Sequence, residues 1–341
     1  MPETANRFDL IRLAFAAGVF VYHGVAIGAA LPFGPLERAL SHFAELSIQG
    51  FFIVSGLLVA GSLERSSSLR DYAGKRARRL YPAYAAVILV PAVISLAMTQ
   101  DVQGVGSYLG ANLVFLNFLS PTLPGLFEGN RFPEVNGALW TLKIEVMFYI
   151  ALPVILLVLK RFGAFWWVLI LALYAAGEAW AYYVPQLAPG GYGPELGRQL
   201  PGQMAFFAMG IALWKASPGI QRRWAALALC GTALLGASIL YPLLEPLRAF
   251  ALAGVIGAVA WAPGPKLNAA RYGDVSYGLY ITHFPILQAL AAAGLAASLG
   301  LAAYLALATA LTLAVSFALW HLVEKPALRP TSHYRRVAKD N

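Results

Sequence analysis

The chain has 341 residues, 59% of them hydrophobic and only 12% charged, with a mean hydropathy of +0.65. Soluble domains carry about twice that charged fraction, so a soluble globular domain is excluded. The formal charge of +9 is a matter of membrane topology, not of nucleic acid, because apolar runs of spanning length recur from end to end. The period-2 alternation of barrel strands is absent, which leaves an all-α integral membrane bundle.

The first predicted element is a helix over 10–30. The start of the chain has the outline of a signal peptide, with an apolar run and small residues at Ala29 and Ala30. Acidic Glu3 and Asp9 spoil the basic end that such a peptide needs, so the segment is expected to remain as a first membrane helix. Within it, His23 follows Arg12 by eleven residues. That is close to three turns, placing both side chains on one face roughly 16 Å apart along the axis. Ionisable groups inside a membrane helix are costly and mark function by default. Asp9, Arg12 and His23 thus form a polar track from one surface toward the far half of the bilayer.

Further apolar segments follow at 48–63, 81–99, 137–159, 164–183, 200–215, 224–240, 249–262, 275–293 and 301–323. With the first they predict a polytopic bundle of about ten transmembrane helices. The stretch 100–136 does not fit a span. Its apolar part, Tyr108 to Leu119, is too short, and Pro121, Pro124, Gly125, Gly129 and Pro133 follow, so a re-entrant or interfacial piece is expected. With the N-terminus inside, the inner termini and loops collect twenty lysines and arginines. Four lie outside, Arg38, Arg131, Arg198 and Arg248, and Lys143 falls within a span. This asymmetry orients both termini to the cytoplasm. Residues 1–330 are then one transmembrane domain and 331–341 a basic cytoplasmic tail. The single cysteine, Cys230, is read as packing. Neither a Cys/His cluster nor a Walker loop appears, so no metal is expected.

Topology allows depths to be compared. His23 lies seven residues before Ala30, and Glu145 eight residues into the fourth span, roughly 10 and 12 Å from the outer surface. Ser55 sits seven residues into the second span. Three polar side chains on three helices occupy one level, which suggests a site. His23 is either a core histidine bonded to a carbonyl or a general base. Glu145 either pairs with a cation such as Lys143 or orients His23 as a triad carboxylate does. Ser55, followed by Gly56, suits close helix packing as well as a site hydroxyl. The loop from Arg65 to Tyr84, with Arg76, Arg78 and Arg79, is the densest basic run. It either anchors to anionic headgroups or binds a phosphorylated cytoplasmic molecule. In the ninth span Pro285 deprives the Ile281 carbonyl of its helical donor, so a nearby side chain is expected to satisfy it. His283 is read as structural more readily than catalytic, and His321 as a helix cap.

Six motifs in order resemble the integral-membrane acyltransferase family 3, the O-acetylases of bacterial surface polysaccharides and related glycans. They are Arg12 and His23 on the first helix; Phe51-Phe52 through Ser55-Gly56; and Arg76 and Arg79 running into Leu80-Tyr81-Pro82. Then come Leu139-Trp140-Thr141-Leu142 with Glu145 and Phe148-Tyr149; Ser276-Tyr277 with Tyr280 and His283; and Glu324-Lys325-Pro326. The resemblance implies transfer of an acyl group, usually acetyl from cytoplasmic acetyl-CoA, to a sugar hydroxyl, commonly on the outer side of the bacterial inner membrane. It implies His23 as catalytic base with Arg12 and Asp9 beside it on the helix, and Glu145 as a site carboxylate. It also implies Arg76, Arg78, Arg79 and Tyr84 as the CoA-binding group, with Ser55, Trp140, Tyr280 and His283 as further site positions. The partners implied are acyl-CoA, a carbohydrate or polysaccharide acceptor and the lipid bilayer. Asp9-Leu10-Ile11-Arg12 lacks the glycine of the Asp-Gly-Leu-Arg start that many members show. An extracytoplasmic esterase-like domain is not evident, so either the helical unit acts alone or a separate extracytoplasmic transferase completes the job. A different class of function, a transporter or flippase for a lipid-linked sugar or acyl group, also places polar residues mid-membrane. The lack of repeat halves weighs against it. A further alternative keeps the chemistry and changes the substrate, an acyltransferase acting on a cytoplasmic small-molecule acceptor.

Overall fold

The computed structural model of the chain describes residues 7–28, 34–189, 191–265, 273–330 and 332. The expected helix end at Ala30, the cations Lys266 and Arg271, and all of the tail 331–341 but Ser332 lie outside the described residues.

The described residues form helices α1 (Phe8–Gly28), α2 (Pro35–Glu64), α3 (Leu69–Thr99), α4 (Val102–Asn112), α5 (Trp140–Phe162) and α6 (Trp166–Leu187). There follow α7 (Gly193–Gly197), α8 (Leu200–Ile220), α9 (Trp224–Leu240), α10 (Arg248–Trp261), α11 (Val275–Ala292) and α12 (Leu295–Leu319). After α12 comes a π-helical turn, Trp320–Glu324, and then α13 (Lys325–Ala327). Seven helical stretches among these residues are long and apolar enough to cross a membrane. Two of the seven, Gly137–Leu187 and Gly193–Leu240, hold 51 and 48 residues, against the roughly 20 that one span requires. Each is interrupted by a tight turn. The one joining α5 to α6 places Gly163 at φ +53°, where a side chain would be strained.

Two helix starts differ from the sequence reading. Helix α2 begins at Pro35, thirteen residues before the apolar run, because proline is preorganised for a first helical position and Glu37 complements the N-terminal dipole. The basic run, read as a loop, is helical from Leu69 onward. Ser68 Oγ accepts the Asp71 amide at 3.1 Å, and Asp71 Oδ2 accepts the Ser67 amide at 3.3 Å. This reciprocal arrangement resembles a capping box. Between 100 and 136 the only α-helix is α4, eleven residues capped by Asp101, whose Oδ1 accepts the Gly104 amide at 2.9 Å. At 1.5 Å per residue it is roughly 16 Å long, half a bilayer core.

The chain divides into two compact units, with boundaries that fall inside α1, α2, α3 and α5. The first comprises Met1–Arg12, Ile48–Ala73 and Ile144–Asn268. Its core is aromatic, with Phe148 stacked on Phe207 at 3.9 Å and Phe52 against the same ring at 4.8 Å. Gly56 lets α2 approach α8 so closely that a Cβ there would stand 2.5 Å from the Phe207 carbonyl oxygen. Gly231 and Gly254 serve the same purpose between α9 and α10.

The second unit comprises Leu13–Ser47, Gly74–Lys143 and Ala269–Asn341. Here Gly18 admits Phe43 and Ser47, and Gly28 admits the ring of Tyr304, whose hydroxyl donates to the Leu287 carbonyl. Each unit has outward apolar side chains: Val90 and Val93 on α3 are exposed in the second, and Ile150 on α5 is 73% exposed in the first. A face of this kind belongs in lipid.

Candidate functional site

Helix α11 supplies a fully enclosed imidazole in the second unit. His283 has no exposed surface, and the rings of Phe20, Tyr280 and Phe284 surround it at centroid distances of 6.1–6.4 Å. Its Nδ1 lies 3.0 Å from the Leu279 carbonyl, one turn back, and its Nε2 lies 2.8 Å from His23 Nδ1. The two imidazoles meet edge to edge through this bond, centroids 5.1 Å apart and planes 22° from parallel. His23 is half-buried, with the edge of Phe284 against it at 5.0 Å. Phe284 reaches that position because Gly137 leaves room: a Cβ at 137 would meet its ring at 2.9 Å.

The backbone beneath the pair is held from outside the helix. Pro285 leaves the Ile281 carbonyl without its helical donor, and Asn136 Nδ2 supplies one at 2.8 Å. Asn136 Oδ1 also caps the turn that leads into α5 by accepting the Ala138 amide. Thr141 Oγ1 and Tyr280 OH pair at 2.7 Å beside it. Gln288, one turn further along α11, donates to the carbonyls of Phe132 and Glu134 and accepts from Asn130 at 2.9 Å. The segment before α5 is therefore tied to α11 over about two turns. Arg131 grips Glu37 through both guanidinium nitrogens and donates to the Ala26 carbonyl, three residues beyond His23.

Arg79 occupies a different place from the one expected of a phosphate ligand. Its two terminal nitrogens meet Asp274 Oδ2 at 2.5 Å and Glu324 Oε2 at 2.6 Å, with all three side chains buried. Its guanidinium carbon stands 5.4 Å from the centre of the Tyr277 ring, and Ser276 Oγ donates to Asp274 Oδ1 at 2.6 Å. The π-helical turn widens the end of α12 where Glu324 meets the arginine. Such a turn inside a helix is uncommon and tends to occur at functional places. A guanidinium engaged by two carboxylates is an internal brace, with its fork already satisfied. Tyr84 is likewise committed inward. It is fully buried, its hydroxyl donates to the Asn112 carbonyl at 2.6 Å and accepts from Asn117 at 3.1 Å, and its ring stacks on Phe115. Of the basic run, Arg78 is exposed while Lys75 and Arg76 are half-buried.

In the first unit Glu145 accepts hydrogen bonds from Ser55 Oγ at 3.2 Å and from Tyr149 OH at 2.5 Å. Ser55 and Glu145, read from the sequence as sharing a depth, are in contact. The hydroxyl proton of Ser55 is directed at that carboxylate. Arg12 Nη1 lies 3.9 Å from Asp9 Oδ1 on the same helix. Trp140, half-buried, opens α5. At His23 Nδ1, where a triad carboxylate would bind, the partner is His283. Among the described residues there is no group of three His, Cys, Asp or Glu side chains able to hold a metal.

A family model described as an acyltransferase domain matches residues 6–321. The chain belongs to acyltransferase family 3. It is a membrane protein and an O-acyltransferase. Nodulation protein 10 of Rhizobium leguminosarum bv. viciae is 29% identical, over 95% of this chain and 93% of that protein. The exopolysaccharide production protein ExoZ of Rhizobium meliloti is 28% identical, over 87% of this chain and 94% of its own length. An O-acetyl transferase of Shigella phage Sf6 is 31% identical over 47% of this chain and 49% of its own. No solved structure matches the chain.

The family's ordered motifs acquire physical meaning here. The arginine pair gives Arg79 and Glu324-Lys325-Pro326 gives Glu324, while Asp274, two residues before the Ser276-Tyr277 motif, completes the brace. Sequence reasoning missed Asn136, Gln288 and Asp274 as organisers of this unit. Only Asn136 had a signal, the orphaned carbonyl that Pro285 creates, and that signal named no partner.

Proposed function

We propose that this acyltransferase moves an acetyl group from acetyl-CoA, taken from the cytoplasm, to a hydroxyl of a bacterial surface polysaccharide or related glycan, with His23 as general base. The observation that carries the reading is the half-buried imidazole of His23, held mid-helix in an apolar unit by a buried partner. Ionisable groups are kept at such depth for chemistry. The names of the relatives agree in kind: one is an O-acetyl transferase and another an exopolysaccharide production protein.

The acceptor hydroxyl gives its proton to His23 as its oxygen bonds to the acyl carbon. The carbon–sulfur bond then breaks, and the departing thiolate takes that proton back. Lys75, Arg76 and Arg78 on α3 fit the phosphates of a CoA nucleotide, being cations at a partly or fully exposed surface. Arg79 we assign to bracing, and Tyr84 to packing. Arg12 with Asp9, and Glu145, are assigned as polar site groups of the first unit. The charge asymmetry of the sequence supports about ten crossings of the inner membrane with both termini in the cytoplasm.

The test is CoA release from acetyl-CoA by detergent-purified protein, with mixed surface glycans as acceptors. Acceptor-dependent release should fall roughly 10²- to 10⁴-fold in His23→Ala, the range for loss of a general base. Undiminished release from a folded variant would remove His23 from that role. A transporter would release no CoA.

A further inference from the structure

The hydrogen bonds around His283 decide which nitrogen of His23 acts. A backbone carbonyl only accepts, so the contact between His283 Nδ1 and the Leu279 oxygen at 3.0 Å requires a proton on that Nδ1. His283 has no exposed surface and aromatic rings around it. A charged imidazole there would carry a large desolvation cost. With its single proton on Nδ1, neutral His283 offers a bare lone pair at Nε2. His23 Nδ1, 2.8 Å away, must then be the donor. A neutral His23 protonated at Nδ1 has its lone pair at Nε2, on the far side of the ring from His283.

We infer that His283 is a positioning residue for acyl transfer: the chain Leu279 carbonyl, His283, His23 fixes the tautomer that leaves His23 Nε2 as the base. The assignment rests on the reading of His23 as base. Three features hold the chain in register. Phe284 packs its edge on His23 at 5.0 Å, in the space that Gly137 leaves. Asn136 holds the Ile281 carbonyl, so the proline-interrupted turn that carries His283 keeps its place. Phe20, one turn before His23 on α1, meets the His283 ring edge-on at 6.2 Å.

In the reaction the acceptor O–H bond breaks and its proton goes to His23 Nε2. The imidazolium so formed keeps its Nδ1–H directed at His283. No second proton moves. The acceptor oxygen bonds to the acyl carbon, the carbon–sulfur bond breaks, and the sulfur leaves with the proton from Nε2. A neutral acceptor at Nδ1 thus does what a carboxylate does in a triad, holding ring and tautomer, without placing a second charge in the buried interior.

Two readouts test this on the whole protein in lipid nanodiscs. The first is ¹⁵N NMR of histidine-labelled protein, with the His23 signals assigned through His23→Gln. The wild type should show His23 protonated at Nδ1 and bare at Nε2. His283→Gln, whose amide oxygen can still accept, should preserve that form; His283→Leu should lose it. The second readout is CoA release from acetyl-CoA with the mixed glycans. His283→Leu should lower kcat on the order of 10²-fold with the KM for acetyl-CoA unchanged, and His283→Gln should recover most of it. A wild-type His23 bare at Nδ1 would overturn the inference. So would equal loss of activity in the Gln and Leu variants with His23 signals unmoved. The NMR result stands apart from activity: the expected tautomer together with a fully active His23→Ala would overturn the base reading alone.

Discussion

At the scale of single residues, the buried arginine and the buried histidine do different work. Arg79 meets two carboxylates, and its worth lies in what its removal would leave behind. Replacing Asp274 or Glu324 by an isosteric amide weakens one arm, whereas Arg79→Met strands two carboxylates in an apolar interior. Breaking a buried pair by deleting one partner costs about 3–5 kcal/mol. Arg79→Met is therefore expected to lower the unfolding temperature in detergent steeply, and Arg79→Lys to recover little, because an ammonium lacks the fork that reaches both acids. Unchanged melting in Arg79→Met would show that the brace contributes nothing. His23 was legible from the sequence because a lone histidine in a membrane helix stands out. His283 was read as a further site position, but its pairing with His23 was not legible, since the two are 260 residues apart in the chain and no local pattern links them. The contact of Ser55 with Glu145 was legible only as equal depth. Depth along a helix does not say which way a side chain faces.

At the scale of elements, apolar length located the helices but not their ends. The charges of Arg70 to Arg79 were read as marks of a loop, yet a helix tolerates lysine and arginine on its exposed side. The signal that mattered was Ser68 with Asp71, a cap three residues apart. The start of α2 was hidden for the same reason, its first turns being polar. Glycines divide by what they touch. Gly56→Ala drives a methyl group against the Phe207 carbonyl on α8, and is expected to destabilise by about 1–3 kcal/mol, the usual range for overpacking. Gly106→Ala in α4 meets nothing within 4 Å, and is expected to stabilise slightly, by about 0.5–1 kcal/mol. Thermal unfolding of the two variants side by side checks the contrast, and equal shifts would mean that the α2–α8 approach is not tight.

At the scale of the whole molecule, fold class followed from composition alone, because lipid leaves a backbone only two ways to satisfy itself. Topology is a separate question, carried by where the lysines and arginines fall. With both termini cytoplasmic, a phosphatase reporter fused after Asn341 should be inactive, and one inserted after Arg131 active. The reverse pattern would invert the bundle and move the acceptor to the cytoplasm. Chemistry was legible only through six short motifs in order. Each is too common to mean anything alone, and their joint meaning lies in contacts between residues far apart in the sequence.

The Arg79 brace also bears on how the protein is made. Its partners follow it by 195 and 245 residues. At 5–20 residues per second, a ribosome delivers Glu324 roughly 10–50 s after Arg79. Until Asp274 is made, a cation meant for an apolar interior has neither of its acids, and until Glu324 is made it still lacks one. Any chain cut short before Glu324 would keep the brace incomplete. The π-helical turn that carries Glu324 thus completes the brace late in synthesis.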